Sequence, residues 1–341
     1  MKKALLYSIF ALGIASTTLT SCEDIFGGFL DKQPSNELTG EQVFSDWNLT
    51  VQFHLDTYNF LRHGAGRIST TWLDAATDLA ETSYGNGVRT SFNIGNFYGG
   101  SGASELVDTW EHYYRGIRKC NMLLTRIEEV PQNPAVSEDK YNRDKKNYIA
   151  EARFLRAYFY WELFLRYGPI PIVKEVLDPN GDLMSKYTTR PTTKEYVVDF
   201  ILEELKSCEG NLLDYETAWK SSSAGRIGQP MACALRSRIM LFMASPRYSS
   251  ESGITWQQAA DVAKEFIDTY GANFALFNAK DATGATLGIE NYTNALLRTA
   301  YQGSNKEVIF YRNDDKQNWG NIKNDTPVGE GGNGGLCPSQ N

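Results

Sequence analysis

Histidine is scarce in this chain of 341 residues, and its three histidines fall outside the motifs in which histidine does chemistry. His54, His63 and His112 belong to no His-Glu-x-x-His sequence and to no nucleophile elbow. His54 and His112 fall on predicted helices, where surface or interfacial roles are the ordinary ones. We therefore predict no catalytic residue, no bound metal and no cofactor.

Paired cysteines are also lacking. After Cys22 the cysteines form no Cys-x-x-Cys pair and have no histidine at the spacing of a zinc site. Buried free thiols are the expectation for these residues, and a disulfide stays open because exported proteins can form one. The cysteines concerned are Cys120, Cys208, Cys233 and Cys337.

The chain has no surplus of positive charge and no long apolar run. Its formal charge is −7, and removing Lys2 and Lys3 with an N-terminal signal takes it to −9, so phosphate neutralisation and nucleic-acid binding are excluded. No stretch approaches the roughly 20 apolar residues that a membrane-spanning helix requires. We therefore expect a folded domain that is attached to a membrane only through an anchor at its N-terminus.

Two fragments carry the letters of an active site without its context. Gly329–Gly334 matches Gly-x-Gly-x-x-Gly, but no strand–helix pair flanks it, so it is predicted to be a loop. Asp178–Asp182 has the oxygen donors of a calcium loop without the distal bidentate carboxylate, and a turn is predicted. Carboxylate pairs for glycoside hydrolysis depend on three-dimensional separation, and nothing here singles out a pair.

The first residues have the features of an export signal. Lys2 and Lys3 precede a short apolar run, Ala4–Ala15, and the run leads into Leu19–Cys22, where small residues precede a cysteine. This pattern predicts a lipoprotein signal peptide over residues 1–21 and a lipid on Cys22. The alternative is an ordinary signal peptide that ends near a cysteine. Two or three acyl chains, at about 0.8 kcal/mol per buried CH₂, would give stable anchoring.

Helical periodicity dominates the remainder, with apolar residues three or four positions apart on long stripes. Helices that arrive in antiparallel pairs, with small and aromatic residues on their faces, indicate a mainly α fold resembling a tetratricopeptide stack with long irregular loops. The predicted helices are Glu41–Leu61, Ser104–Val130, Asp144–Tyr167, Thr193–Cys208, Gln229–Met243 and Trp256–Tyr270.

Two connections are too long to be simple turns. Residues 78–102 set aromatic residues among six glycines, and residues 313–336 form a polar, glycine-rich stretch with a single tryptophan after a predicted strand, Glu307–Arg312. Long glycine-rich loops in compact proteins are often functional. Aromatic content of 13% is high, and aromatic rings stack on sugars or other ligands. These loops therefore hold the candidate binding residues.

Several motifs occur in the order in which they are found in one family. The chain resembles the SusD/RagB nutrient-binding lipoproteins in Phe29–Pro34, Ile117–Leu124, Ala150–Tyr158, Tyr167–Val173 and Asn305–Phe310. The resemblance covers the chain after the signal. It implies an N-terminal helical region over residues 22–230 and the start of the family's C-terminal region over residues 231–341. Because the final motif, Cys337–Asn341, normally continues in the family, we expect an incomplete chain.

The resemblance also implies a function. Such proteins face the cell exterior from the outer membrane and capture glycans for a TonB-dependent transporter, and the acidic pair Glu23–Asp24 resembles their surface-export signal. Capture of peptide or another nutrient is the alternative, and a surface glycoside hydrolase is the enzymatic one. The family places sugar contacts in roughly these two loops. The predicted ligand-binding residues are Tyr84, Arg89, Phe97, Tyr98, Asn313 and Trp319.

Charged residues on the third predicted helix have a different interpretation. Glu151, Arg153 and Arg156 lie on a long helix with aromatic flanks. We predict that they belong to the helical scaffold rather than to a binding site.

Overall fold

The computed structural model describes residues 39–62, 67–68, 71–85, 92–96, 98, 104–178, 180–223, 225–278, 280, 283–286, 288, 306–312 and 323–339. The chain divides into two units, Met1–Val43 and Phe44–Asn341. Of the first unit, the described residues 39–43 begin a helix. The predicted signal peptide and Cys22 lie outside the described residues. None of the described helices combines the length and the apolar character that crossing a membrane requires.

The described part of the chain is mainly α-helical, as predicted. A π-helix over Lys194–Leu202 runs directly into one of the α-helices, and short 3-10 helices and four strands of two or three residues complete the described elements. The helices are α1 Gly40–Phe44, α2 Trp47–Asp56, α3 Ser104–Arg126, α4 Glu138–Tyr167, α5 Leu183–Lys186, α6 Glu203–Glu209, α7 Tyr215–Ala218, α8 Gln229–Met243, α9 Ser249–Ser252 and α10 Trp256–Tyr270. The strands are β1 Arg67–Ile68, β2 Thr71–Trp72, β3 Ala80–Thr82 and β4 Leu336–Pro338.

Two helices have the bounds that the sequence predicts. Helix α8 begins at Gln229 with Pro230 in its first turn, where a missing N–H costs nothing. Helix α10 begins after Thr255, whose side chain accepts from the backbone of Gln258 while the Gln258 side chain accepts from the backbone of Thr255. This reciprocal capping box fixes the first turn.

Other predicted bounds were wrong. The helix predicted over Glu41–Leu61 is broken, because Asp46 caps a new start and accepts from Leu49 N at 2.9 Å. Helix α4 begins six residues earlier than predicted, where the hydroxyl of Ser137 accepts from Lys140 N. The predicted strand Glu307–Arg312 is absent from the described residues 306–312. Side chains hold this segment instead: Phe310 packs against the core, and the Arg312 guanidinium donates to the Leu61 carbonyl.

The long helices pack in antiparallel order, as the tetratricopeptide-like prediction requires. Trp110 of α3 meets Tyr167 of α4 with ring centroids 5.2 Å apart, and Asn121, eleven residues further along α3, accepts from Arg156, eleven residues back along α4, at 2.8 Å. Gly116 lets the two helices approach, since a Cβ there would lie 2.7 Å from Cε2 of Phe159. The pair α3–α4 forms the centre of the described core.

The next helical layer repeats this arrangement. Tyr196 of the π-helix stacks on Phe164 of α4 at 5.9 Å, and Glu204 of α6 accepts from Arg156 of α4 at 2.8 Å. Glu204 and Arg156 are both buried, as is Asn121, which accepts the second bond from Arg156. The charged residues of α4 therefore join three helices, which supports the scaffold role predicted for Arg156.

Glu151 lies at the centre of a second buried network. One carboxylate oxygen accepts from Tyr58 at 2.8 Å and pairs with His54 at 2.8 Å, while the other accepts from Arg226 Nε at 3.0 Å. Burial raises the pKa of Glu151, but the Arg226 and His54 charges outweigh it and hold that pKa below its usual value. A fully buried carboxylate with three partners is a structural element, because no solvent reaches it.

Candidate functional site

The two loops that the sequence singles out are joined by a strand pair. Strand β3 pairs antiparallel with β4, with Ala80 opposite Pro338 and Thr82 opposite Leu336. The pairing continues past both ends of the strands, where Ser339 N donates to the Leu79 carbonyl at 2.9 Å. We call the described residues 78–85, 92–96, 98 and 323–339 the loop platform.

Tyr84 anchors the platform. Its hydroxyl donates to the Asn324 carbonyl at 3.1 Å, and Gly335 N donates to the same carbonyl at 2.7 Å. The phenol ring is half-buried against the backbone of Gly335, at which a Cβ would lie 2.3 Å from the ring. Tyr84 thus binds the first loop to the second, and its ligand contact stays a prediction.

Of the other two aromatic residues that the structure describes in the first loop, one is packed and one is exposed. Phe92 packs with Leu336 of β4 over the fully buried Ala75. Tyr98 is 60% exposed. An exposed phenol ring in a loop that is held in place by packing is suited to stacking on a ligand.

Four of the predicted ligand-binding residues cannot be placed on this platform, because they lie outside the described residues. They are Arg89, Phe97, Asn313 and Trp319. The structure therefore joins the segments that flank them and leaves their roles as predictions.

The Gly-x-Gly-x-x-Gly sequence is a loop, as predicted. A short 3-10 turn over Val328–Glu330 is followed by strand β4 rather than by a helix. Gly332 is required sterically, since a Cβ would lie 2.1 Å from the Thr326 carbonyl oxygen. Gly334 has a φ of 64° and donates to the same carbonyl at 2.8 Å. The glycines of this segment build a compact turn, not a phosphate cradle.

The calcium-like sequence is a turn as well. Gly181 N donates to the Asp178 carbonyl at 3.0 Å, and Asp182 accepts from Ser185 N at 3.1 Å as the cap of α5. The hydrogen bonds from Ser185 lower the pKa of Asp182. Both aspartates are therefore used in local backbone capping.

One group of possible metal ligands occurs among the described residues, and an arginine occupies it. Glu209, Cys233 and Glu265 converge, but Arg236 donates to Glu209 at 2.6 Å and to Glu265 at 2.5 Å. Burial raises the pKa of Cys233 to about 12, which keeps its thiol protonated. The guanidinium supplies the positive charge that a cation would otherwise bring.

The described cysteines are free. Cys120, Cys208 and Cys233 are buried, as expected, whereas Cys337 is exposed on β4, contrary to the expectation. Burial raises the pKa of the Cys120 and Cys208 thiols to about 12. These two thiols are packing residues.

Sequence reasoning missed a second surface. Trp110 lies at the spacing of the apolar stripe on the predicted helix Ser104–Val130, which predicts a core residue, but the structure leaves it 40% exposed beside a cavity of about 380 Å³. This expectation was wrong because helix α4 ends at Tyr167, opposite Trp110, and does not extend over the outer part of the indole. The Gly168–Pro169 stop in the sequence is the signal from which this exposure could have been inferred.

Comparison with known families decides the classification. The family described as SusD-like, starch-binding associating with outer membrane, matches residues 28–241. The chain belongs to the SusD-like family. This match confirms the resemblance to SusD/RagB proteins that the sequence motifs indicate. A comparison with curated proteins gives no match.

Solved structures share the fold. A SusD-like protein from Bacteroides fragilis is 23% identical with a TM-score of 0.64, and the alignment covers 91% of this chain and 54% of that one. A SusD-like carbohydrate binding protein from the same species is 19% identical with a TM-score of 0.63, covering 87% and 52%. A SusD superfamily protein from Parabacteroides distasonis is 20% identical with a TM-score of 0.60, covering 89% and 59%. The chain thus spans little more than half the length of these proteins.

Proposed function

We propose that this SusD-like chain is a lipid-anchored protein of the outer membrane that binds oligosaccharides on the loop platform and delivers them to a TonB-dependent transporter. The observation that carries the proposal is the β3–β4 pairing, which brings the two glycine-rich aromatic loops together. Tyr98, in the first of these loops, has an exposed ring, and Trp319, a predicted ligand-binding residue, lies in the sequence of the second loop.

The family supports the ligand class. Its description names starch binding and association with the outer membrane, and a structural neighbour from B. fragilis carries the name of a carbohydrate binding protein. Aromatic rings stack on the apolar faces of sugars, and neighbouring amide, guanidinium and carboxylate groups bind hydroxyls. Arg89 and Asn313 are the proposed hydroxyl partners.

The family also supports the proposed location. Association with the outer membrane agrees with the lipoprotein signal in residues 1–21. A lipid on Cys22 would hold the body at the membrane surface, and a transporter in the same membrane would receive the ligand.

Two buried carboxylates support a non-catalytic role. Glu151 and Glu204 are paired with Arg226 and Arg156 inside the helical core. General acid and nucleophile pairs of glycosidases must instead face a substrate cleft. We propose binding without hydrolysis.

One experiment tests both the proposed ligand class and the proposed absence of hydrolysis. The purified chain is applied to an array of plant, microbial and host glycans that also carries peptide pools, and the same glycans are incubated with it in solution. The expected result is saturable binding of a glycan without release of new reducing ends. Binding of peptides alone would contradict the proposed ligand class, and new reducing ends would contradict the non-catalytic role.

A further inference from the structure

The exposed indole of Trp110 is held in place by two tyrosine rings. Tyr114 lies one turn along α3 with its ring centroid 4.8 Å from that of Trp110, and Tyr167 meets the indole edge-on at 5.2 Å. The Tyr114 hydroxyl donates to the Pro171 carbonyl at 3.1 Å, so its ring is fixed as well. The unburied part of Trp110 is therefore a rigid apolar surface.

The chain after α4 folds back along α3 and forms an opposite wall. Asn121 donates from one amide nitrogen to the carbonyls of Val173 and Glu175, both at 3.0 Å. Arg118 donates to the Leu177 carbonyl at 3.0 Å. Side chains of α3 thus hold the backbone of residues 173–177, and the space between the two walls is preformed.

This space, which we call the α3 groove, has the dimensions of a ligand site. Its volume of about 380 Å³ falls in the range of small-molecule pockets, roughly 300–1,000 Å³. Aromatic and aliphatic side chains line it together with two carboxylates, Glu111 and Glu175, and two guanidiniums, Arg115 and Arg118. None of the lining residues belongs to the loop platform.

The charges of the groove disfavour a cation. The two carboxylates and the two guanidiniums of the lining cancel in formal charge, and Lys186, which donates to Glu175 from outside the lining, adds one positive charge. The hydrogen bonds from Lys186 and Tyr187 lower the pKa of Glu175. A cation would therefore gain little from this rim. Hydroxyl groups would gain more, because the rim offers both donors and acceptors.

We propose that the α3 groove is a second carbohydrate-binding site, in which a sugar ring stacks on Trp110 and its hydroxyls bond to Arg115 and Glu111. The ligand class rests on the proposed function, whereas the site is independent of the loop platform. Arg115 suits this role because its side chain is 69% exposed and lies 3.8 Å from Glu111, too far for a strong bond. A hydroxyl could join both side chains.

Fluorine NMR can observe the two sites separately. The protein, which has seven tryptophans, is labelled with 5-fluorotryptophan, and Trp110→Phe and Trp319→Phe assign the two resonances of interest. Maltoheptaose, laminarihexaose and mannohexaose are then titrated in turn. We expect the Trp110 resonance to shift saturably with at least one of them.

The outcomes distinguish the two proposed sites. A Trp110 resonance that does not move while the Trp319 resonance shifts would overturn the proposed site in the α3 groove and leave the proposed site on the loop platform intact. The reverse pattern would overturn the platform alone, and no shift at either would overturn both.

A matched pair of exposed arginines gives the second arm. Arg143 on α4 is 67% exposed and lies 3.8 Å from Asp144, much as Arg115 lies from Glu111. Arg115→Ala should weaken the titration followed at Trp110 about two- to tenfold through the loss of a hydrogen bond, and Arg143→Ala should leave it unchanged. Equal affinities for the two variants would contradict the role assigned to Arg115 and, with it, the proposed site.

Discussion

Gly335 lies directly against the ring of Tyr84: a Cβ at residue 335 would sit 2.3 Å from Cε2 of Tyr84 and 2.5 Å from the Asn324 carbonyl oxygen. Gly335→Ala should therefore separate the two loops of the platform and weaken glycan binding about tenfold or more. Because this contact is remote from the α3–α4 core, overpacking should lower the free energy of unfolding by only about 1–3 kcal/mol.

The control for this substitution is Gly329→Ala in the same loop, where a new Cβ would meet nothing within 4 Å. Calorimetric titration and thermal melting of both variants make the comparison. Glycan affinity that is the same in the two variants would show that the Tyr84–Gly335 contact does not shape the site.

Substitutions of two neighbouring arginines on α4 should lower the free energy of unfolding to different extents. Arg156→Ala would leave the buried Glu204 without its 2.8 Å partner and should lower the free energy of unfolding by about 3–5 kcal/mol. Arg153 reaches the same carboxylate at 3.3 Å but is 39% exposed, so Arg153→Ala should cost about 1 kcal/mol or less. Urea denaturation measures both. A larger effect of Arg156→Ala on glycan affinity than on stability would refute the scaffold role.

The buried network around Glu151 predicts that the free energy of unfolding decreases at acidic pH. Because its folded-state pKa lies below that of the unfolded chain, the network stabilises the fold at pH values above the unfolded pKa. That contribution is lost as the pH falls through the folded-state pKa. Glu151→Gln leaves Arg226, whose side chain is 18% exposed, without this charge partner and should cost about 3 kcal/mol at neutral pH.

The same substitution should flatten the dependence of stability on pH in the acid range, because residue 151 can no longer take up a proton. Urea denaturation at neutral and acidic pH provides the measurement. A variant that loses stability on acidification as steeply as the unaltered chain would exclude Glu151 as the main acid-sensitive group.

Helix positions could be predicted from the sequence where local signals are strong. Helices α8 and α10 match to the residue, since Pro230 and the Thr255–Gln258 box mark their starts. The break at Asp46 and the start at Ser137 also have local caps. Apolar periodicity continues across the break at Asp46, whereas the first turns after Ser137 are almost entirely polar and carry no apolar stripe. Periodicity identifies a buried face and does not specify where one helix ends and the next begins.

The candidate sites were harder to predict because they depend on pairings distant in sequence. The β3–β4 pair joins Thr82 to Leu336, and each strand has only three residues, so neither gives a periodic signal. Trp110 has the spacing of a core residue, and its exposure depends on the end of α4 at Tyr167. The strand pair arises from tertiary structure alone, whereas the end of α4 is marked in the sequence by Gly168–Pro169.

The membrane anchor can be tested by fractionation. Cys22→Ala removes the thiol that directly follows the predicted signal peptide and should release the protein from the outer-membrane fraction, because a lipid chain cannot be attached. Metabolic labelling with a palmitate analogue provides a direct measurement of the lipid. Unchanged membrane association and labelling in the variant would show that Cys22 is not the anchor.

Glycan binding on the loop platform is measured most directly by calorimetric titration of the best array ligand into Tyr98→Ala and Trp319→Ala. A stacked ring contributes about 0.5–1.5 kcal/mol beyond its buried area, so each variant should bind several-fold to about tenfold more weakly and melt normally. Trp256→Ala, which removes an indole 57% exposed on α10, should bind as the unaltered chain does. Unaltered affinity in both Tyr98→Ala and Trp319→Ala would contradict a binding site on this platform.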